Sequence, residues 1–272
     1  MAAPVQSIEE MLVSNFPRAS FRPLGPRRLD ILVAGCGTGQ HSISTARLHA
    51  TGNVLAVDLS RASLAYALRK SRELGVENVQ YAQADILELG GIGRQFDLIE
   101  SSGVLHHLGD PLAGLQVLVS LLRPNGLMKL ALYSEIARKS VVEIRHMIAA
   151  QGYAANAEDI RRCRQDILAL PGDDPRRKVL TYSDFYSMSE CRDLLFHAQE
   201  HRLTLPVIAG WLERLGLALV TLDVPFEIER TFGWRFPDPA ARTDLGSWHL
   251  YECDNPNTFI GMYQFWVQKS EG

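Results

Sequence analysis

Short apolar runs alternate along the chain with longer amphipathic segments. Residues 31–34 and 54–57 are apolar throughout, as are strands that a parallel sheet buries on both faces. Segments with helix signals separate such runs, for example the stretch that Ser60 can cap and Gly75 can end. This alternation predicts strand–helix–strand units, and therefore a parallel sheet with helices on both faces. The predicted strands are 31–34, 54–57, 79–82, 96–100, 127–133, 217–224 and 258–267.

The alternation stops after residue 134 and resumes near residue 204. Between these points three helices follow one another without a strand, and a second irregular segment, 225–256, separates the last two strands. The three predicted helices are 140–151, 156–170 and 189–202, with Ser140, Asn156 and Ser189 as N-caps. The predicted organisation is an arm over 1–29, one α/β domain from 30–134 and 204–272, and a helical insertion over 135–203. The insertion and the arm together are expected to cover the site as a lid.

Composition excludes several classes of function. The chain has 272 residues, of which 46% are hydrophobic and 22% charged, as in a folded globular protein. A formal charge of −3 argues against long nucleic acids, and no apolar run is long enough to span a bilayer. The cysteines lie far apart without a CxxC pair, so no disulfide framework and no zinc site is predicted. Without a secretory N-terminal segment, a cytoplasmic location is expected.

The first apolar run ends in a glycine-rich segment, Gly35-Cys36-Gly37-Thr38-Gly39. A strand, a glycine loop and a helix in this order let backbone N–H groups approach a ligand closely. The dinucleotide fingerprint is GxGxxG, and Gln40 stands where its third glycine would be. A side chain at that position works against packing on a pyrophosphate. An ordinary tight turn is the alternative interpretation of this segment.

Acidic residues follow the second and third predicted strands. Asp58 ends the second strand, where it can accept hydrogen bonds from both hydroxyls of a ribose. Asp85 follows the third strand, where it can accept from an adenine amino group while Ile86 packs on the ring. Each acid alone is equally well interpreted as a helix cap or a turn residue. Together with the glycines they line the carboxyl edge of the sheet, which predicts a nucleoside site.

These motifs together resemble the class I S-adenosylmethionine-dependent methyltransferases. The resemblance implies a seven-stranded Rossmann-like α/β/α sandwich with strand order 3-2-1-4-5-7-6 and an antiparallel seventh strand. It covers roughly residues 30–134 and 205–268, and it rests on segments 31–39, 57–58, 84–86, 96–99, 104–108 and 121–127. The implied cofactor is S-adenosylmethionine, with S-adenosylhomocysteine as product. The expected cofactor-binding residues are Gly35, Cys36, Gly37, Gly39, Gln40, Asp58, Leu59, Asp85, Ile86, Ser101 and Ser102.

The chain departs from the family at Val33, where an acid usually helps to hold the methionine amino group. Gln40, Glu100, a backbone carbonyl or water would have to replace it. A non-catalytic cofactor-binding module therefore stays an alternative. A dinucleotide-dependent oxidoreductase is a second alternative, which Gln40 and the segment 104–108 disfavour.

Two histidine pairs are candidates for chemistry. His106 and His107 follow the fourth strand, where a histidine could take a proton from an acceptor, or simply pack against the next helix. The resemblance places the second of them toward the pocket, so His107 is the expected base. His197 and His201 are predicted to share a helix face, but Glu200 does not complete an HExxH motif and no third ligand is evident. No metal site is predicted.

The predicted reaction is methyl transfer to an oxygen, nitrogen or carbon atom of a small molecule or peptide. An insertion of this size suits an acceptor that enters a closed pocket. Segments 182–186 and 191–197 are similar to bacterial methyltransferases fused to tetratricopeptide repeats, a subgroup that implies no defined acceptor. Nucleic acid and membrane partners are not expected, and a homodimer is left open.

Overall fold

A seven-stranded sheet forms the centre of the computed structural model, which describes residues 7–197 and 199–271. The strand order is β3-β2-β1-β4-β5-β7-β6, and β7 runs antiparallel to both of its neighbours. The strands are β1 Asp30–Ala34, β2 Asn53–Asp58, β3 Val79–Gln83, β4 Phe96–Ser102, β5 Leu122–Leu132, β6 Leu217–Leu222 and β7 Tyr263–Lys269. The predicted fold class and strand order are confirmed.

Helices pack on both faces of the sheet and form the insertion after β5. They are α1 Ile8–Asn15, α2 Gln40–Leu48, α3 Arg61–Glu73, α4 Pro111–Leu121, α5 Lys139–Gln151, α6 Ala157–Ala169, α7 Met188–Phe196, α8 Leu205–Arg214, α9 Phe226–Arg235 and α10 Leu245–Asp254. The N-caps predicted at Ser60 and Asn156 are confirmed, since each side chain accepts from backbone N–H groups of the first turn. In the described part of the chain, no helix is long and apolar enough to cross a bilayer.

Several predicted boundaries were wrong. Ser140 and Ser189 lie inside α5 and α7, and Ser187 caps α7 instead. The predicted helix 189–202 ends at Phe196, because the following residues bond to other parts of the chain. The irregular segment 225–256 contains α9 and α10.

Three apolar clusters stabilise the molecule. One lies on the face of the sheet that α4, α8 and α10 cover, and a second lies on the face that α1, α2 and α3 cover. The N-terminal arm belongs to the second cluster, because Ile8 and Leu12 are buried there. The third cluster joins α5, α6 and α7 around the buried Phe185. The insertion thus has an apolar core of its own. That 135–203 acts as a lid stays a prediction.

A buried ion cluster fixes the amino edge of the sheet, opposite the carboxyl edge. Asp97 at the start of β4 is 0% exposed, and its carboxylate lies 2.7 Å from Arg27 and 2.5 Å from Arg123. Arg123 also pairs with Asp30 at the start of β1. Two arginines therefore balance the buried Asp97 charge far from the carboxyl ends of the strands.

Candidate active site

A cavity of about 590 Å³ lies at the carboxyl edge of the sheet, where β1 to β5 end, and Asp193 and His197 of the insertion belong to its lining. No described residue of the N-terminal arm lines it. Eight of the predicted site residues line it: Gly35, Gly37, Asp58, Leu59, Asp85, Ile86, Ser102 and His107. The other lining residues are Val57, Ser60, Ala84, Gly103, Val104, Leu108, Tyr133, Asp193 and His197. The sheet edge thus brings together residues that are far apart in the sequence.

The glycine loop has a backbone that side chains would disturb. Gly35 has a φ of +81°, and a Cβ atom there would lie 2.3 Å from Cγ2 of Val104. Gly37 has a φ of +51° and open space where its side chain would be. The N–H groups of Gly35 and Cys36 both donate to the carbonyl of Val57, so the loop is fixed to the end of β2. Only glycine allows this close path beside the cavity.

The two predicted carboxylates line the cavity and also stabilise their own turns. Asp58 accepts hydrogen bonds from the N–H groups of Gly37 and Ser60, both at 2.8 Å. Asp85 accepts from the N–H group of Leu87 at 2.9 Å. The two interpretations of these residues, ligand site and turn, are therefore compatible. A carboxylate has about four acceptor positions, so each retains capacity toward the cavity.

Five predicted site residues lie outside the cavity lining. Gly39 is the N-cap of α2, and a Cβ atom at this position would collide with Ala67. Gln40, the first residue of α2, is exposed. Cys36 is buried, and burial raises the pKa of its thiol to about 12. Ser101 and His106 are also buried, so any contact of Ser101 with a ligand would use its backbone. The roles proposed for Gly39, Gln40, Cys36 and Ser101 stay predictions.

Glu100 supplies a carboxylate next to Val33, but not in the cavity. The two residues are paired in register between β1 and β4. Glu100 is buried and accepts a hydrogen bond from Thr45 at 2.5 Å, and its carboxylate lies 3.0 Å from Nε2 of His41. Burial raises its pKa, yet the contacts with His41 and Thr45 outweigh burial and keep the pKa below its usual value. Its charge therefore stabilises α2, and the lining contains neither Glu100 nor Gln40.

His106 and His107 have different surroundings. The His106 ring is 0% exposed and stacks on Tyr133 at 3.7 Å, and neither of its ring nitrogens has a partner among the described residues. Burial lowers the pKa of His106 to about 2, so it is a neutral core residue rather than a base in the cavity. His106 therefore has the packing role that was its alternative interpretation. His107 lies on the cavity wall.

The hydrogen bonds of His107 determine its tautomer. Its Nδ1 atom lies 2.9 Å from the carbonyl oxygen of Gln199. A carbonyl only accepts, so Nδ1 carries the proton and Nε2 presents a lone pair. No described residue bonds to Nε2. Burial lowers the pKa of His107, and although the Gln199 bond opposes this, the ring is neutral near pH 7 and able to accept a proton.

Three lining residues with titratable side chains were missed as site residues: Tyr133, Asp193 and His197. Tyr133 directly follows β5, where a polar side chain after an apolar strand was the available signal. Asp193 and His197 come from the insertion, whose packing the sequence pattern does not show. The prediction that His197 and His201 share a helix face was wrong, because α7 ends at Phe196. No group of metal-ligating side chains occurs within 7–197 and 199–271.

Residues 31–126 match the methyltransferase domain family. S-adenosylmethionine, the expected cofactor, is confirmed for this domain. The glycine loop and the Asp58 and Asp85 carboxylates fit it, since open space beside Gly37 leaves room for a ligand against the backbone.

Relatives of known sequence cover part of this chain. A protein of Synechococcus sp. that is named as uncharacterized is 31% identical over 202 residues, which are 72% of this chain and 48% of that protein. A ubiquinone biosynthesis O-methyltransferase of Cereibacter sphaeroides is 32% identical over 121 residues, covering 44% of this chain and 48% of the enzyme. The chain thus spans about half the length of the curated relatives it matches.

Solved structures share the fold. PKMT2 from Rickettsia typhi in complex with AdoHcy superposes with a TM-score of 0.73 at 15% identity, over 95% of this chain and 52% of that one. Magnesium protoporphyrin IX methyltransferase from Synechocystis PCC 6803 with bound SAH gives 0.51 at 15% identity, over 96% and 79%. At these identities the likeness concerns the fold alone. The similarity to methyltransferases with tetratricopeptide repeats stays a prediction.

Proposed function

We propose that this protein transfers the methyl group of S-adenosylmethionine to a hydroxyl oxygen of a small molecule or a peptide side chain bound in the cavity at the carboxyl edge. The observation that carries this proposal is the geometry of His107. Its Nδ1 proton is used by the Gln199 carbonyl, and its Nε2 lone pair belongs to a ring on the cavity wall. A neutral imidazole in that position suits an acceptor that must lose a proton.

When bound, S-adenosylmethionine supplies a methyl group that the sulfonium already activates. The carbon–sulfur bond breaks as the bond between that carbon and the acceptor oxygen forms. The acceptor's proton passes to Nε2 of His107, and the imidazolium later returns it to water. The products are S-adenosylhomocysteine and a methyl ether. Since the donor is activated, holding the two reactants in line supplies most of the catalysis.

Chain residues on the cofactor side of the cavity have complementary chemistry. Asp58 would accept from ribose hydroxyls, and Asp85 with the buried Ile86 would bind the adenine. The backbone of the glycine loop would approach the remaining part of the cofactor. Asp193 of α7 adds a third carboxylate to the cavity, from the insertion. It would supply an acid in a chain whose β1 has Val33 at the position where the family usually has one.

The dimensions of the cavity limit the acceptor. About 590 Å³ is within the usual range for one ligand site, and here it would hold both the cofactor and the reacting end of the acceptor. This favours a small molecule or one protruding side chain. The curated relatives named as ubiquinone biosynthesis O-methyltransferases support oxygen as the methylated atom. A cytoplasmic location and a homodimer stay predictions.

Transfer of a labelled methyl group from S-adenosylmethionine to a panel of phenols and hydroxy compounds tests the proposal. We expect a methylated product with at least one hydroxyl acceptor. His107→Gln should lower turnover by about 10²–10⁴-fold, the usual contribution of a general base. The affinity for S-adenosylhomocysteine, measured by calorimetry, should stay near the wild-type value.

The exposed His146 of α5 provides a matched control, since His146→Gln should leave turnover unchanged. Full activity in His107→Gln would remove His107 from the mechanism. Binding of both sulfur compounds without any methylated product would favour the non-catalytic module. Binding of NAD in their place would favour the oxidoreductase.

A further inference from the structure

An extended segment, 199–203, leads from the insertion back to α8, and we call it the strap. Its backbone bonds to His106, which directly precedes the lining residue His107, and to the lining residue Tyr133. The N–H group of His201 donates to the carbonyl of His106 at 2.7 Å, and that of Leu203 donates to the carbonyl of Tyr133 at 2.9 Å. The Leu203 carbonyl in turn accepts from Glu135 at 2.9 Å. The strap is therefore attached beside His107 and Tyr133, two residues of the cavity lining.

Glu200 fixes the position of the strap. Its side chain is 0% exposed and accepts two hydrogen bonds from Arg138, at 3.0 and 2.7 Å, and one from Arg145 at 2.9 Å. Arg138 is itself 1% exposed, and its guanidinium lies over the Tyr133 ring at 3.6 Å. A buried carboxylate is costly wherever its partners do not reach it. The ion pairs of Glu200 therefore hold the strap in its observed position.

The peptide of Gln199, next to Glu200, contacts two imidazole rings. Its carbonyl accepts from Nδ1 of His107 at 2.9 Å, and its N–H group donates to Nδ1 of His197 at 3.3 Å. The centroids of the His107 and His197 rings are 3.9 Å apart. One peptide thus places the proton of His107 on Nδ1 and that of His197 on Nε2. Two neighbouring rings of the cavity lining thus carry their protons on opposite nitrogens.

We propose that Glu200, held by Arg138 and Arg145, is a positioning residue that fixes the opposite tautomers of His107 and His197 through the Gln199 peptide. The proposal rests on the proposed function in one respect, namely that His107 acts as the base. Without the ion pairs of Glu200 the strap moves, and the Gln199 carbonyl leaves Nδ1 of His107. Part of the His107 population then carries its proton on Nε2. That population has no lone pair toward the acceptor.

Nitrogen-15 NMR of histidine-labelled protein measures the tautomers without any acceptor. Spectra are recorded at about pH 8, where a neutral ring is expected, with and without S-adenosylhomocysteine. His107→Gln and His197→Gln identify the two signals. Wild type should show His107 protonated at Nδ1 and His197 at Nε2. In Glu200→Gln the ratio of Nδ1–H to Nε2–H in His107 should fall about fivefold, the factor that one net hydrogen bond of about 1 kcal/mol represents.

Two further variants keep the test decisive if Glu200→Gln does not fold. Arg145→Gln removes one of the two partly exposed arginines near Glu200, the other being Arg202 at 3.7 Å, and it should shift the ratio in the same direction by less. Arg138→Lys keeps the charge but loses the paired hydrogen bonds, and it should retain more of the wild-type ratio than Arg138→Met. Asp97→Asn is the matched control, because it removes a buried carboxylate with two arginine partners at the opposite edge of the sheet. It should lower stability and leave the tautomers unchanged.

The proposal is overturned if wild-type His107 is mainly protonated at Nε2, or if the folded Glu200 and Arg145 variants keep the wild-type ratio. It is also overturned if Asp97→Asn shifts the ratio as much as they do. Failure of the proposed function looks different. The tautomers would then respond to Glu200 as expected, but no hydroxyl acceptor would be methylated.

Discussion

Replacing Gly35 by alanine should damage the glycine loop in a way that the structure quantifies. The residue has a φ of +81°, a conformation that costs an L-residue with a side chain about 1–2 kcal/mol. The new Cβ atom would also lie 2.3 Å from Cγ2 and 2.6 Å from Cγ1 of Val104. Overpacking of this kind costs about 1–3 kcal/mol. We expect Gly35→Ala to lose roughly 2–5 kcal/mol of unfolding free energy from both causes together.

Gly37→Ala separates the two causes. Its φ is +51°, but a Cβ atom there would meet nothing within 4 Å. Only the backbone cost of about 1–2 kcal/mol applies. Urea unfolding followed by circular dichroism, without cofactor, measures both variants. Calorimetry with S-adenosylhomocysteine then measures the loss of affinity, because displaced Val104 atoms would enter the cavity.

Val104→Ala provides the decisive comparison. It removes the two nearest Val104 atoms but leaves Cβ of residue 104 at 2.9 Å from the new Cβ atom. In the Gly35→Ala background it should therefore restore part of the overpacking cost of about 1–3 kcal/mol, beyond its own effect on the parent. Equal stability of Gly35→Ala and Gly37→Ala would refute the steric argument. So would the absence of any restoration by Val104→Ala.

Three further predictions concern single side chains. Asp58→Ala should weaken binding of S-adenosylhomocysteine by about 1–3 kcal/mol in calorimetry, since charge-assisted hydrogen bonds are lost, and unchanged affinity would mean that the ribose lies elsewhere. The His106 pKa falls from 6.5 to about 2 on folding, so only the unfolded chain binds this proton, and stability is lost as pH falls below 6.5. Between pH 7 and 5 the loss should be about 2 kcal/mol, which denaturant titrations of wild type and His106→Phe would reveal as a difference between the two; equal losses would contradict a neutral His106. Phe185→Ala, in the core of the insertion, should cost about 3–5 kcal/mol and make 135–203 the first region cut by protease; cleavage elsewhere first would contradict a separate core there.

Local signals explain why much of the fold could be predicted. Buried strands are short apolar runs, and Ser60 and Asn156 bond to the first turns of their own helices. The end of α7 could not be predicted in this way. Glu200 has helix-compatible neighbours in the sequence, but its partner Arg138 is 62 residues away and holds it in an extended segment. Non-local ion pairs of this kind override local propensity.

The same distinction applies to the site. Asp58 and Asp85 were found because each follows a predicted strand, and parallel strands end at one edge. Asp193 and His197 reach the cavity only because the insertion folds over it, and no periodicity in the sequence states where the insertion lands. The tautomer of His107 depends on Gln199, a residue 92 positions away, and only the structure shows that contact.

A crystal structure of the chain with S-adenosylhomocysteine tests the central claim most directly. The account predicts the adenine against Ile86 and Asp85, the ribose hydroxyls on Asp58, and the sulfur facing the part of the cavity that His107 and Tyr133 line. Nε2 of His107 should then point toward the space in front of the sulfur. A ligand bound elsewhere, or a sulfur that faces away from His107, would contradict it.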